Sequence, residues 1–373
     1  MEASNQQKVV YGPDKFSYTK NSCDRYLLPP VQDLASTWYG SDLMYRTNEW
    51  IVQLTPIEIA ELEAATESMI TSKQDIDSIT AENFPLPTLG LKLLALRQEL
   101  IRGRGFFLLR GLPIEKYNER EAGTLFYGLG CHLGLPRSQN AMGHMLGHVR
   151  DLGMKSSDPN VRLYQTNERQ TFHTDSSDVV GLLCLKTANV GGASLLVSAS
   201  TIFNEMYTQR PDLLELLMLP IATDRRGEVP EGMLPYVLIP VFSLYEGYLT
   251  VFYQRQYIDS AQRFEDAPRL TSKHVEALDM FDHLANDPKL SLSMKLEPGD
   301  MQFVYNHALL HDRTGFDDWN DPAQKRHLLR LWLSIPEDRP LPDVFASRFG
   351  SVEIGNRGGI HVRGTMSTIP WTI

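Results

Sequence analysis

Cysteine is scarce in this chain of 373 residues, which has only three, at positions 23, 131 and 184. They are too few and too far apart to form a disulfide framework or a thiolate zinc site. Cys184 lies in the apolar run Val179–Leu185, where we expect a buried free thiol. Such a low cysteine content is compatible with a reducing compartment, so we expect a cytoplasmic location.

Long hydrophobic runs are missing as well. No stretch approaches the length of a membrane span, and the first residues contain no apolar segment of the kind found in signal peptides. An excess of positive charge is also missing, because 36 basic residues face 46 acidic ones and the net charge is −10. We therefore expect neither a membrane nor nucleic acid as a partner. The negative net charge does not exclude anionic small molecules as substrates, because a single buried arginine can bind an anion locally.

The remaining composition, 42% apolar and 22% charged, is that of a globular enzyme. We expect the irregular residues from 1 to about 50 to wrap the core as an extended arm. Thr55 and Glu58 can form a capping box around Pro56, which predicts the start of a helix. We expect residues 1–90 to be an N-terminal extension whose helix packs on the core, and residues 91–373 to be the main domain.

The pattern changes from helical to strand-like beyond residue 100. We expect a second helix at about 89–99, a buried strand at 106–111 and a helix at about 116–129. From roughly residue 160 to 335, short apolar runs alternate with Gly, Pro, Asn and Asp, and we expect one helix among them, at about 272–285. Many short strands between turn residues are typical of a β-sandwich or a barrel. The runs span residues 182–185, 194–197, 249–252, 301–304 and 328–333.

His173 and Asp175 open one of these strand-like segments. On an extended chain, residues two apart point to the same face, so the pair is placed to bind one divalent cation. His-x-Asp alone is weak evidence, and a surface pair near a strand end is the alternative.

A third ligand is found in the later segment 297–313, which contains His307 and His311. Pro-Gly-Asp at 298–300 predicts a turn, the apolar run after it a strand, and His311 falls just beyond that strand. Two histidines and one carboxylate leave coordination positions open, as in non-haem Fe(II) oxygenases. As an alternative, His307 and His311 form an i, i+4 pair on a helix and hold the zinc of a hydrolase. The turn-and-strand context, and the lack of a Glu between them, favour the first interpretation.

Three separated blocks in this order resemble the taurine dioxygenase family (TauD/TfdA-like) of 2-oxoglutarate-dependent oxygenases. The resemblance covers roughly residues 100–350. The blocks are His173-Thr174-Asp175, then Gly191-Gly192-Ala193-Ser194, and then the stretch from Pro298-Gly299-Asp300 through Asn306 and His311 to Arg326 and Arg330.

The resemblance implies an α+β fold with a mostly β core, a double-stranded β-helix (jelly roll) flanked by helices. It implies the co-substrates 2-oxoglutarate and dioxygen, and Fe(II) held by His173, Asp175 and His311. Arg326 is the first choice for the distal carboxylate of 2-oxoglutarate, with Arg330 helping it or the substrate. Ser194, where the family often has Thr, is implied as a donor to the same carboxylate.

The implied reaction is oxidation of a C–H bond of a small substrate, anionic or amino-acid-like, with hydroxylation as the default and succinate and carbon dioxide as products. Desaturation or oxidative ring closure is the alternative outcome, and a metal- or ligand-binding barrel without turnover is the alternative of another class. We expect Gln165, Asn167 and Phe345 to border the substrate, and His307 and the pair His144 and His148 to be structural. The oligomeric state stays open, and a homo-oligomer is compatible with the sequence.

Overall fold

The computed structural model describes residues 28–154, 163–362 and 364–371, so Cys23 and most of the predicted arm lie outside the described residues. Within these ranges no helix is both long and apolar enough to cross a membrane. The helices are α1 Gly40–Leu43, α2 Pro56–Thr71, α3 Leu89–Arg102, α4 Glu119–Leu133, α5 Ala199–Gln209, α6 Pro211–Leu217, α7 Arg255–Ala261, α8 Ser272–Ala285 and α9 Ala346–Phe349.

The strands are mostly short, as turn-rich sequence predicts. They are β1 Ile51–Gln53, β2 Phe106–Arg110, β3 Leu135–Arg137, β4 Gly147–Val149, β5 Gln170–His173, β6 Val179–Lys186, β7 Val190–Gly191, β8 Ser194–Ser198, β9 Pro220–Asp224, β10 Tyr236–Pro240, β11 Phe242–Tyr245, β12 Tyr248–Val251, β13 Ser291–Met294, β14 Met301–Tyr305, β15 Leu309–Arg313, β16 Phe316–Asp317 and β17 His327–Ser334.

Two sheets form the core of the fold. The larger has the strand order β1-β2-β14-β6-β17-β3, with β4 also paired to β17, and the smaller has the order β13-β8-β15-β5. Pairing is antiparallel except between β1 and β2. One apolar cluster joins the larger sheet to helices α2, α3 and α4, and a second joins the smaller sheet to α5, α6 and α8. The predicted α+β fold with a jelly-roll core is confirmed.

The predicted helix starts follow from their caps. Thr55 accepts from the N–H of Glu58, whose carboxylate accepts from the N–H of Thr55, and this capping box begins α2 as predicted. The helix expected from about residue 116 begins instead at Glu119, because Asn118 forms its capping box with Glu121.

The prediction of a single helix between residues 160 and 335 was wrong, since α5, α6 and α7 lie there as well as α8. The cap of α5 is Ser198, the last residue of β8, so strand and helix follow each other without a loop. At the N-terminal side, β1 adds a strand to the edge of the larger sheet and α2 packs against α4. The domain division at residue 90 stays a prediction.

Candidate active site

The predicted His-x-Asp pair lies at the end of β5, on the smaller sheet. His173 is the last residue of this strand, and Asp175 follows in the next loop. The neighbouring strand β15 runs antiparallel to β5, with His311 directly opposite His173. The register of this strand pair therefore brings His311 next to His173 and Asp175, which lie far from it in sequence.

Ligand atoms of His173, Asp175 and His311 all lie within 4.8 Å of one another. Nε2 of His173 is 4.0 Å from Oδ1 of Asp175, and Nε2 of His311 is 3.7 Å from Oδ2. The two imidazole rings are 4.1 Å apart, centre to centre. A single divalent cation fits this donor set, which is typical of non-haem iron.

Hydrogen bonds from outside the triad orient His173 and Asp175. Nδ1 of His173 donates to the carbonyl oxygen of Thr171 at 2.8 Å, so Nε2 carries the lone pair that a metal would need. In this structure that lone pair accepts from the side-chain amide of Gln170 at 2.9 Å, a contact that metal binding would replace. The indole N–H of Trp332 donates to Oδ2 of Asp175 at 2.8 Å. The backbone N–H of Asp175 donates to Oδ1 of Asn306 at 3.0 Å. Such outer contacts fix the tautomer and the direction of metal ligands.

The protonation states of the triad suit a metal. Burial lowers the pKa of His311 to about 3, and it also lowers the pKa of His173, so both imidazoles are neutral at pH 7. Burial alone would raise the pKa of Asp175, but Arg330, the two imidazoles and Trp332 together hold it below its ordinary value. Neutral imidazoles and an ionised carboxylate are the forms that bind divalent cations.

Two cavities meet at the triad and share His173, Asp175 and Arg330 in their walls. The inner cavity, of about 500 Å³, is further lined by Ser194, Leu296, His311, Arg313, Arg326 and Leu328, among others. The outer cavity, of about 640 Å³, is further lined by Arg226, Phe252, Gln254, Gln256, Tyr257 and Arg348, among others. Both cavities are partly open to solvent, and both volumes include some of that open space.

Arg326 is the residue of the inner cavity that is best suited to bind a ligand carboxylate. Its side chain packs on the ring of Phe316 at 5.1 Å and is 5% exposed. Nη1 is buried and has no hydrogen-bond partner among the described residues. Burial lowers the pKa of Arg326 to about 10. Because buried polar groups are otherwise paired, this guanidinium fits a carboxylate supplied by a bound molecule.

Arg330 and Ser194 have protein partners already. Nε of Arg330 donates to Oε1 of Gln139 at 2.7 Å, and Nη1 lies 3.6 Å from Oδ2 of Asp175. The hydroxyl of Ser194 donates to Oε1 of Gln302 at 2.9 Å. Arg330 belongs to β17, whereas Arg326 precedes it, yet both line the inner cavity.

Comparison with known proteins agrees with this geometry. The family described as taurine catabolism dioxygenase TauD, TfdA matches residues 70–332. The chain belongs to this family. FR-33289 synthase of Streptomyces rubellomurinus is 32% identical over 79% of this chain and 88% of its own length. Uridine-5'-phosphate dioxygenase of an Amycolatopsis species is 28% identical over 46% of this chain and 64% of its own.

The fold agrees with the same family. An asparagine oxygenase, solved with Fe(II), 3-hydroxyasparagine and succinate, superposes with a TM-score of 0.59 over 76% of this chain and 93% of its own, at 18% identity. As a TauD, TfdA family member, the protein is a non-haem iron dioxygenase that uses Fe(II), 2-oxoglutarate and dioxygen. The triad and the unsatisfied Arg326 Nη1 fit these groups.

None of the three predicted substrate contacts of this dioxygenase lines either cavity in the described structure. Tyr164 lines both cavities, whereas the neighbouring Gln165 and Asn167 line neither of them in the described structure. Phe345 is fully buried, with its ring 6.4 Å from that of Phe252. Phe252 is the ring that reaches the outer cavity, and Phe345 supports it from behind.

His307 lies apart from the iron triad, in the turn between β14 and β15. Its Nε2 contacts Oδ1 of Asp178 at 2.7 Å, and both side chains are buried. Arg357 donates to the same oxygen at 2.8 Å and to Oδ2 of Asp338 at 2.8 Å. The strand position of His311 excludes the helical i, i+4 pair on which the zinc hydrolase alternative depends.

His148 also lies apart from the triad, as a structural histidine would. Its Nε2 donates to the carbonyl oxygen of Pro370 at 2.8 Å, so its Nδ1 accepts from Nε2 of His327, also at 2.8 Å. The ring of His144 contacts the Asn140 side chain at 3.0 Å. Neither histidine lines the inner or the outer cavity in the described structure.

Sequence reasoning missed Trp332, Arg226 and Arg348 as members of the site. Trp332 was visible only as an apolar neighbour of Arg330, although alternation along β17 puts both residues on one face. Arg226 and Arg348 reach the outer cavity from a loop and from the short helix α9, and no periodic pattern marks them.

Proposed function

We propose that this dioxygenase oxidises a C–H bond of a small anionic substrate bound in the outer cavity. In this proposal His173, Asp175 and His311 hold Fe(II). The observation that carries it is the position of the triad at the junction of two cavities, so that co-substrate and substrate approach one metal from different sides.

The inner cavity is the proposed place of 2-oxoglutarate. Arg326 would bind its distal carboxylate, because a buried guanidinium without a protein partner matches a carboxylate in charge and geometry. Ser194 lies in the same wall and would add a hydroxyl donor after turning from Gln302. Leu182, Leu296 and Leu328 exclude water from the rest of this cavity.

The protein's own contribution is to position and to exclude water, while bound Fe(II), 2-oxoglutarate and dioxygen supply the oxidising power. Trp332 and Asn306 hold Asp175 in place, and Thr171 fixes the tautomer of His173. Arg330 stands between the two cavities and keeps the metal-binding carboxylate ionised.

The outer cavity supports an anionic substrate because Arg226, Arg330 and Arg348 line it together with a single carboxylate, Asp175, among the described residues. One relative is named for its action on uridine 5'-phosphate, an anionic compound, which agrees with this preference. Hydroxylation is the proposed outcome. The proposal includes the cytoplasmic location that the scarcity of cysteine predicts.

The test is release of succinate from 2-oxoglutarate by protein reconstituted with Fe(II), measured by mass spectrometry against a panel of small acids, amino acids and phosphate esters. We expect one class to stimulate release and to gain oxygen. Asp175→Ala should abolish turnover, while the exposed Asp266→Ala should not change it. Iron binding without succinate release for any compound would favour the binding barrel, and full activity of Asp175→Ala would refute the triad.

A further inference from the structure

Arg226 lies on the loop between β9 and β10 in an unusual backbone conformation. Its φ is +53°, and Gly227 follows with a φ of +81°. An arginine in the left-handed region costs about 1 kcal/mol, so surrounding contacts must hold it there. The carboxylate of the buried Asp224 accepts from the backbone N–H of Arg226 at 2.8 Å. The loop is thus built to place this side chain in the cavity wall.

The guanidinium of Arg226 has neutral neighbours. It lies 5.5 Å from the ring centre of Tyr257 and donates to the hydroxyl of Ser260 at 3.3 Å. No carboxylate of the described residues lies within 4.0 Å of it, and the nearby Asp224 is paired with Arg263 instead. Its positive charge is therefore available to a ligand in the outer cavity.

Arg348 reaches the same cavity from α9 and is buried, with 9% of its surface exposed. Its Nε donates to the hydroxyl of Ser176 at 2.7 Å, and Ser176 directly follows the proposed iron ligand Asp175. Burial and the charge of Arg348 lower the pKa of the neighbouring Arg225 to about 10, so positive charge accumulates here. A ligand bound by Arg348 would lie close to the metal.

The charged residues that line the two cavities favour a dianion over a monoanion. Among the described residues, five arginines and two aspartates line the inner and outer cavities, an excess of three positive charges. Fe(II) and the dianion of 2-oxoglutarate cancel each other when both are bound. In a partly buried cavity such an excess is weakly screened, so each added negative charge of a substrate is strongly stabilised.

We propose that Arg226 and Arg348 form an anion subsite of the outer cavity that binds a phosphoryl-type dianion, the head group of a phosphate monoester or a phosphonate. Two guanidinium forks match the several oxygens of such a group. Gln254, Gln256 and Tyr257 stand beside them in the wall as neutral donors. This inference rests on the proposed function, because it specifies the substrate of the same site.

The test compares two probes of equal shape and different charge, methylphosphonate and methanesulfonate, at pH 8.5, where the first is a dianion and the second a monoanion. Binding is measured by calorimetry without oxygen, with Fe(II) and 2-oxoglutarate bound. We expect the phosphonate to bind at least about ten-fold more tightly than the sulfonate. Arg226→Gln and Arg348→Gln should each remove most of that preference, and Arg226→Lys should restore part of it.

Arg269→Gln is the matched control, because Arg269 is exposed and lines neither cavity in the described structure, while the change in net charge is the same. Equal binding of the two probes, no binding of the phosphonate, or an undiminished preference in Arg226→Gln would overturn the inference. Iron content and 2-oxoglutarate affinity are measured on the native protein and on every variant. A native protein that bound neither Fe(II) nor 2-oxoglutarate would refute the proposed function instead. Succinate release with phosphate monoesters or with phosphonates then tells which compound carries the head group.

Discussion

Replacing Arg326 by Met tests the inner cavity by two independent measurements. The guanidinium is buried against the ring of Phe316, and its Nη1 has no hydrogen-bond partner among the described residues. A Met side chain keeps the apolar stem and removes the charge. The protein alone should then become more stable, while its affinity for 2-oxoglutarate should fall. Replacing a structural arginine would instead lower the stability and leave the affinity unchanged.

The magnitudes follow from the buried charge. Burial lowers the pKa of Arg326 from 12.5 to about 10. Because the folded-state pKa is lowered, the charged form is disfavoured in the folded protein at neutral pH, by roughly 3 kcal/mol. Arg326→Met should regain up to that amount. Loss of a charge-assisted hydrogen bond to the co-substrate costs about 2 to 3 kcal/mol, which weakens 2-oxoglutarate binding roughly 30-fold to 150-fold.

Urea unfolding gives the stability, and calorimetry without oxygen gives the affinity for 2-oxoglutarate in the presence of Fe(II). The exposed Arg120→Met serves as the control and should change neither quantity. 2-Oxoglutarate should raise the urea midpoint of the native protein much more than that of Arg326→Met. A destabilised variant with unaltered 2-oxoglutarate affinity would show that Arg326 is structural, and Arg330 or Arg313 would then be the candidate ligand.

Three further predictions follow from buried groups. His311→Ala should lose Fe(II) binding and His307→Ala should keep it, which metal analysis of the purified variants decides. Arg357→Met should lower the free energy of unfolding by about 3 to 5 kcal/mol, because two buried aspartates lose their counter-charge; a loss below about 1 kcal/mol would contradict this. Burial raises the pKa of the Cys131 and Cys184 thiols to about 12, so iodoacetamide should leave both unlabelled in native protein at pH 8, and rapid labelling seen by mass spectrometry would refute it.

The candidate metal triad could be proposed from the sequence because local rules and a family motif agree there. The two-residue period of an extended chain predicted His173 and Asp175 on one face, although β5 ends at His173 and Asp175 lies in the loop that follows. His311 comes one strand after a recognisable Pro-Gly-Asp turn. What the sequence could not show is the register between β5 and β15, which sets His311 opposite His173. That register depends on burial across the whole sheet.

The missed helices illustrate a different limit. In the segment 194–206 an apolar strand runs directly into α5, whose buried residues Ile202, Phe203 and Met206 continue the apolar character. The hydrophobic periods of a strand (two residues) and of a helix (3.6 residues) cannot be told apart over a short run when no turn residue separates the two elements. A short helix there is therefore mistaken for a continuation of the strand. Ser198 was the available signal, because its hydroxyl caps the helix.

The substrate subsite was hidden because its arginines depend on contacts that form only in the folded chain. Asp178, three residues after Asp175, pairs with Arg357, and Arg357 pairs with Asp338. Residues 338 and 357 flank the segment that carries α9 and Arg348, so these buried ion pairs fasten both ends of that segment beside the iron site. Compared with well-packed apolar residues, a buried ion pair adds little net stability, although removing one partner is costly. The benefit of these ion pairs is that they fix the position of the segment. They hold Arg348 against Ser176, at a fixed place relative to the proposed metal ligand.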